Sequence, residues 1–455
     1  MSRKPRLALS TTQIILLSFL AVILVGSLLL SLPFSTQNGE SVPYIDALFT
    51  ATTATCVTGL VTLPTATTWS LFGQIVILLL VQAGGLGIIT VMAGVMLALH
   101  RRMGLSDRLL LRDAFNLNTL SGLSDFLKRV LAGTLAVELT GALLYMTVFV
   151  PEFGARGIWI SLFNAVSAFC NAGMDIIGEN SLCDYATNPI INGVTSALII
   201  LGGLGYIVWW DLLRVIRLAW ERRSLRALSH LTLHSKLALS ATAVLLLGGA
   251  AIFLLCEHRN PATIGDMGFF DQLQVSFFQS VTTRTAGFAT VSQTDLTTAS
   301  TAVSLILMFI GGSPVGTAGG IKTVTVLILA AYALSTVQGR DEVAVFNRRI
   351  PDDALRRSVA VAGTSFLIAV LATVILAILT PGRDLADILY ETVSATATVG
   401  LSRDLTPTLT AAGKLTVAVT MYLGRVGPIS LAIAFGTRRK TVNAVKNPTE
   451  QVSVG

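Results

Sequence analysis

Apolar residues run in long blocks along this chain. A helix needs about 20 such residues to cross the hydrocarbon of a bilayer. Blocks of suitable length fall near 12–33, 70–99, 128–150, 189–217, 233–256, 298–337, 354–380 and 409–436. Eight spanning helices are therefore expected, the sixth of them interrupted. Between the two members of each pair lies a shorter amphipathic stretch and then a loop. The first is Phe49-Thr50-Ala51-Thr52-Thr53-Ala54-Thr55-Cys56-Val57-Thr58-Gly59-Leu60, too short and too rich in hydroxyls to span. Its design returns three times. Phe49 stands ten residues before Gly59, Phe163 ten before Gly173, Phe277 ten before Gly287, and Tyr390 ten before Gly400. The four glycines recur at intervals of 114, 114 and 113 residues. Ordinary interhelical turns explain neither the spacing nor the recurring aromatic. The pattern predicts an all-α membrane protein with four pseudo-symmetric helix–pore-loop–helix repeats around one central pore. Its eight transmembrane helices and four pore helices divide into quarters at 1–100, 101–218, 219–338 and 339–455.

Composition agrees. The chain has 455 residues, 53% hydrophobic and 13% charged, where a soluble protein carries about 25% charge. Mean hydropathy is +0.73. The first apolar block exceeds the roughly 7–15 residues of a signal h-region, so a spanning helix is expected there rather than a cleaved leader. Four cysteines suggest no disulfide framework. Cys56 and Cys170 stand three residues before their glycines as small packing residues, and Cys183 and Cys256 fall on the predicted outer side.

Charge sets the orientation. Most of the 32 Lys and Arg lie in the N-terminal segment, the loops near 100–129, 211–236 and 339–357, and the C-terminal tail. Basic loops stay in the cytoplasm, so both termini are expected there, with the pore loops opening outward. The net charge of +7 follows from that bias and is no sign of nucleic-acid binding. On the outer side, acids including Asp46, Glu152, Asp175, Glu179, Asp184, Asp266, Asp271, Asp295 and Asp404 outnumber the bases Arg156, Arg259, Arg284, Arg383, Arg403 and Lys414. A negative mouth concentrates cations.

Non-helical backbone at membrane depth must line water or be buried in protein. Four such loops around one axis present carbonyl oxygens that can replace the water shell of a cation. Glycine reaches positive φ without a Cβ clash. Pore helices aim their partly negative C-terminal ends at the ion. The candidate filter residues are Val57, Thr58 and Gly59; Asn171, Ala172 and Gly173; Thr285, Ala286 and Gly287; and Thr398, Val399 and Gly400, with a dehydrated metal cation as the bound ion.

Two further anomalies stand out. The sixth block carries Gly311, Gly312, Ser313, Pro314, Val315, Gly316, Thr317, Ala318, Gly319 and Gly320 in its middle. Proline breaks a helix and glycine loosens it, so two half-helices joined by a loop are expected. Arg425 lies within the last block and Lys322 just beyond the loop. A central arginine costs about 2.5–3.5 kcal/mol on the insertion scale and should have partners, either carbonyls of the 311–320 loop or Glu138. These residues form a candidate gate. His230 and His234 share a helical face but lack a third ligand, so no metal site is expected there. The GGLG stretches at Gly84–Gly87 and Gly202–Gly205 suit close helix packing.

The glycine-bearing quarters, the stretch Phe278-Gln279-Ser280-Val281-Thr282-Thr283-Arg284-Thr285-Ala286-Gly287-Phe288, the stretch 311–322 and the tail 447–455 resemble the Trk/Ktr/HKT superfamily of potassium transporters, in its KtrB branch. The resemblance covers essentially the whole chain. It implies a homodimer in the bacterial cell membrane and K⁺ uptake with possible Na⁺ dependence. It also implies a cytosolic nucleotide-binding ring of the RCK/KTN type, similar to KtrA, through which alone ATP or ADP would act. The chain itself holds no Rossmann fingerprint, and no covalent cofactor is expected. One glycine per quarter implies a shorter filter than that of tetrameric potassium channels. No set of nucleophile, base and oxyanion donors is evident, so an enzyme is not expected. An alternating-access cation symporter is the nearer alternative, because inserted loops also build midplane sites.

Overall fold

Leucine and valine fill one side of the first helix of each quarter, and that side is exposed. In α1 (Thr11–Leu30), Leu20, Leu24, Val25 and Leu28 are exposed, while Phe19, Ile23 and Leu30 are buried. The same division holds in α5 (Leu123–Phe153), α9 (Leu233–Glu257) and α13 (Asp352–Leu379). These four are long and apolar enough to cross a membrane. The computed structural model describes residues 11–99, 104, 109–111, 122–223, 229–340 and 342–427. The chain termini and the 447–455 tail lie outside them.

The short helices between the spans are buried on all sides toward their C-terminal ends. They are α2 (Tyr44–Cys56), α6 (Ala155–Cys170), α10 (Phe269–Thr282) and α14 (Leu385–Ala397). Phe49, Phe163 and Tyr390, from the recurring aromatic position, are fully buried. Ten of the thirteen residues of α2 are buried, most of them Thr and Ala. Small residues let this helix sit inside the protein, and Thr52 returns its hydroxyl to the backbone at Leu48 O at 2.7 Å.

The second helix of each quarter is shorter than the apolar pattern suggests. α3 (Leu71–Leu86), α7 (Pro189–Leu204), α11 (Thr298–Phe309) and α15 (Ala411–Val426) have 16, 16, 12 and 16 residues, at most about 24 Å at 1.5 Å per residue. Each starts with a side-chain cap: Ser70, Asn188, Thr297 and Thr410, residue types that satisfy the orphan N–H groups of a first turn. The expected single spans at 70–99 and 189–217 are each broken. After α3, α4 (Ile88–Ala98) leaves at 99°, and after α7, α8 (Tyr206–Arg222) leaves at 99°. The breaks fall at Gly87 and Gly205, both with φ +86°, a conformation that favours glycine. Hydropathy runs on through the bend because both arms are apolar there. The third break is wider. α11 ends at Phe309, and α12 (Thr323–Val337) begins after a loop, as the cluster of glycine and proline predicts. A two-residue hairpin pair, β1 (Ala344–Val345) and β2 (Arg348–Arg349), then precedes α13; the sequence reading had no element there.

The four quarters close on one another where the first and the last meet. α15 packs on α2 and α1, Lys414 Nζ reaches Asp46 Oδ1 at 2.5 Å, and Tyr422 Oη donates to Leu16 O at 2.9 Å. The cysteines are all free.

Candidate functional site, a ring of four glycines above a tied loop

Two positions before each glycine the backbone turns left-handed; in the first, second and fourth quarters that residue caps the pore helix, whereas in the third α10 already ends at Thr282. Val57, Asn171, Thr285 and Thr398 have φ of +56°, +60°, +65° and +52°. The glycines follow with φ of +98°, +62°, +83° and +100° at Gly59, Gly173, Gly287 and Gly400. Alternation of this kind turns the chain away from the helix and into an axis. Side chains hold the turn. Thr53 Oγ1 accepts from Gly59 N at 3.0 Å, Ser394 Oγ from Gly400 N at 3.0 Å, and Ser167 Oγ from Met174 N at 3.1 Å. In the third quarter the matching position is Val281, and Thr282 Oγ1 instead donates to Phe288 O at 2.6 Å.

The four loops interlock in order. A Cβ on Gly59 would stand 2.5 Å from Ala172 O, one on Gly173 2.6 Å from Ala286 O, and one on Gly287 2.6 Å from Val399 O. One on Gly400 would collide with Thr58 O. Each glycine thus abuts the carbonyl that precedes the next glycine, and the fourth returns to the first. Such a circle of backbone has no room for a side chain. All four glycines line one cavity of about 590 Å³, together with Thr62, Asp175, Glu179, Ser402 and Asp404. Desolvation of the half-buried Asp175 in this vestibule pushes its carboxyl up to about 6.

The 310–322 segment lies against the other side of the loops. Thr317 Oγ1 donates to Phe169 O at 3.0 Å and contacts Asn171 Oδ1 at 3.1 Å; Gly319 N donates to Thr285 Oγ1 at 3.1 Å. A Cβ on Gly319 would collide with Thr398 Oγ1. Three of the four loops are therefore touched. The segment is also anchored on the second-quarter break. Ser313 N donates to Gly203 O at 2.8 Å, Thr317 N to Gly202 O at 3.1 Å, and Tyr206 N to Val315 O at 3.0 Å. Its base is closed by Gly311 N donating to Ile321 O at 2.9 Å. Gly311 and Gly320 approach to contact, and Gly312 lies against Ala318 and Gly203. Pro314 and Gly316 flank Val315 at the tip beside Gly205. Lys322 turns inward and donates to Ala318 O at 2.6 Å. The segment forms the wall of a second cavity of about 400 Å³, which Gly85, Thr396 and Arg425 also line.

Arg425 joins the remaining quarter. Its Nη1 donates to Thr317 O at 2.6 Å, and its Nη2 to Gly84 O at 2.5 Å. Of the two kinds of partner expected, a carbonyl of the loop is found at Thr317 and Glu138 is not; Gly84 O, on α3, is a third that was not expected. Glu138 accepts from Gln82 Nε2 at 3.2 Å and lies beside Cys170, held there by its position on α5 two quarters away. The expected packing role of the GGLG stretches is seen in detail. Gly84, Gly202 and Gly424 each press on a pore-helix carbonyl four residues before their own ring glycine, at Thr55, Phe169 and Thr396. Gly424-Arg425-Val426-Gly427 is the fourth version of this stretch, with Gly427 at φ +84°. Arg425 therefore occupies the register of Gly85 and Gly203. The spacing of the two GGLG stretches carried that signal, but the arginine and valine hid the fourth copy.

Residues 2–442 match the TrkH family, described as a cation transport protein. The chain is 39% identical to the potassium/sodium uptake protein NtpJ of Enterococcus hirae, across 100% of this chain and 99% of that protein. It is 35% identical to the Ktr system potassium uptake protein B of Bacillus subtilis, across 97% and 96%. The crystal structure of the potassium transporter TrkH from Vibrio parahaemolyticus superposes with a TM-score of 0.72 at 16% identity, covering 95% of this chain and 86% of that one. Matched over nearly its full length in sequence and in fold, the chain belongs to the TrkH family of cation transport proteins, multi-pass membrane transporters and not enzymes.

Proposed function

We propose that this protein is the potassium-translocating subunit of a bacterial K⁺ uptake system. The observation that carries it is the closed circle of four glycines, each seated on its neighbour's carbonyl. Carbonyl dipoles packed around an axis replace the water shell of a cation, and four helix C-terminal ends add partial negative charge. Val57, Thr58, Asn171, Ala172, Thr285, Ala286, Thr398 and Val399 complete the filter with the glycines. The vestibule faces outward and the basic loops face the cytoplasm, so K⁺ enters past Asp175 and Asp404. The 311–320 segment is the gate, held shut by its ties to three loops and by the Arg425 bridge to Gly84; Lys322 steadies its base.

The names of the relatives support K⁺ as cargo, with Na⁺ as a second ion. A relative named as part of a Ktr system supports a regulatory partner. We place a nucleotide-binding ring against the basic end, where Arg223 and Arg348 are exposed. Arg349 is engaged by Glu342 at 2.8 Å. The functional unit is a homodimer in the cell membrane.

Flux of K⁺ and Na⁺ into liposomes holding the purified protein is the test. Passive, K⁺-preferring flux driven by the K⁺ gradient supports the pore. Uptake against the K⁺ gradient, locked to a second ion at fixed stoichiometry, would replace it with alternating access.

A further inference from the structure

The four pore helices match in backbone but not at the position nine residues before each glycine. Thr50, Asn164, Phe278 and Glu391 stand there. Glu391 is fully buried, and its two oxygens are both used. Ser402 Oγ donates to one at 2.7 Å, and Thr406 Oγ1 donates to the other at 2.5 Å. Ser402 and Thr406 lie two and six residues after Gly400, on the chain that leaves the ring, and both line the vestibule. The carboxylate therefore straps the middle of a pore helix to the outgoing limb of its own loop.

The third quarter has a strap of other chemistry. Gln279 Nε2 donates to Gln293 Oε1 at 2.7 Å, and Gln293 Nε2 donates back at 3.3 Å. The two straps are joined. Tyr390 Oη donates to Gln293 Oε1 at 2.9 Å, while Arg403 reaches Gln293 O at 3.0 Å and Asp387 at 2.8 Å. In the second quarter, by contrast, both amide atoms of Asn164 are buried without a partner.

We propose that Glu391 is a positioning residue for ion choice: through Ser402 and Thr406 it fixes the limb leaving Gly400, and so fixes the fourth side of the carbonyl ring. The proposal rests on the ring being the filter. Removing a donor frees one end of a limb whose other end is the ring itself. The limb relaxes, and the spacing of Thr58 O, Val399 O and their neighbours is no longer held. A looser ring accepts the smaller, more strongly hydrated ion more readily.

Thr406 gives the cleanest test. Thr406→Val keeps shape and deletes the hydroxyl; Thr406→Ser keeps the hydroxyl and deletes the methyl. Competitive K⁺ and Na⁺ uptake by the full chain in liposomes is compared for both, with Glu391→Gln and with Gly400→Ser as the control on the ring. Thr406→Val and Glu391→Gln should each lower K⁺ preference about tenfold, the cost of leaving a buried polar group without its partner. Thr406→Ser should retain the wild-type preference within about twofold, because the bond survives. Loss in Thr406→Ser with retention in Thr406→Val would mean that the methyl packs and the strap is idle, overturning the proposal. Unchanged preference in Thr406→Val while Gly400→Ser alters it would overturn the strap and leave the filter standing. Unchanged preference in Gly400→Ser would remove the filter itself, and the strap with it.

Discussion

Two levels of one repeat behave in opposite ways. At the ring, four quarters with different side chains converge on the same backbone: positive φ at Val57, Asn171, Thr285 and Thr398, then at the glycines. One level below, the register held by Gly85 and Gly203 is filled by Gly312, in a loop, and by Arg425, on a helix. In the proposed filter a single ion on an axis is surrounded best by equal oxygens, so sameness would serve the ring. In the proposed gate a closed state needs one element that can leave and one that can hold it, so difference would serve the level below. The guanidinium suits the second task because it presents several donors in a fixed fork, and it spans two quarters through Thr317 O and Gly84 O.

The largest expected effect breaks the sameness. Serine at Gly59, Gly173, Gly287 or Gly400 would force a side chain against the next quarter's carbonyl. K⁺ preference over Na⁺ should fall by about tenfold or more, since each 1.4 kcal/mol of differential binding is a factor of ten. Competitive ion uptake measures it, and four variants with wild-type preference would end the filter assignment.

Next comes the difference below. Arg425→Ala deletes charge-assisted bonds worth roughly 1.5–3 kcal/mol. If these bonds act in the closed state alone, the open fraction rises about tenfold until it saturates. Deleting Gly312–Gly316 should act in the same direction. K⁺ flux into liposomes should rise in both variants and depend less on any cytosolic partner. Flux equal to wild type in stable variants would make the loop and arginine structural.

The smallest effect concerns the vestibule that both levels share. With its carboxyl pushed up to about 6, Asp175 is charged above that pH and neutral below it. External acidification from pH 7.5 to 5 removes one negative charge from the mouth, so the KM for K⁺ should rise by about two- to threefold. Asp175→Asn should start at the higher KM and lose most of that pH dependence. A variant that titrates like wild type would place the dependence on another group.

The ring was legible in the sequence because only glycine fits each seat, and that requirement leaves a period of 113 or 114 residues. The left-handed turns before it were not, since Val, Asn and Thr share no side-chain property that announces positive φ. The sixth-block loop was legible from its glycines and Pro314. The 99° bends at Gly87 and Gly205 were hidden, because hydropathy records composition and not direction. Arg425 was conspicuous as a charge in an apolar block, and Thr317 O lay among the expected partners. Gly84 O, 341 residues away in the chain, could not be found without the ring closed. The strap at Glu391 was missed for a simpler reason. Its partners are ordinary hydroxyl residues in an outer loop, where Ser and Thr carry no signal of their own.

The seam at Asp46 and Lys414 has a consequence of copy number. Four walls drawn from separate identical subunits would repeat every substitution four times, and an arginine at this register would crowd four like charges around one axis. Here the walls are a single polypeptide sewn shut between its first and last quarters. Each wall carries its own substitution once per pore, so a guanidinium, a carboxylate and an inserted loop can each occupy one of four equivalent places without being multiplied. Point variants in such a protein report on one wall at a time, and a graded series is available that a fourfold assembly of identical chains does not offer.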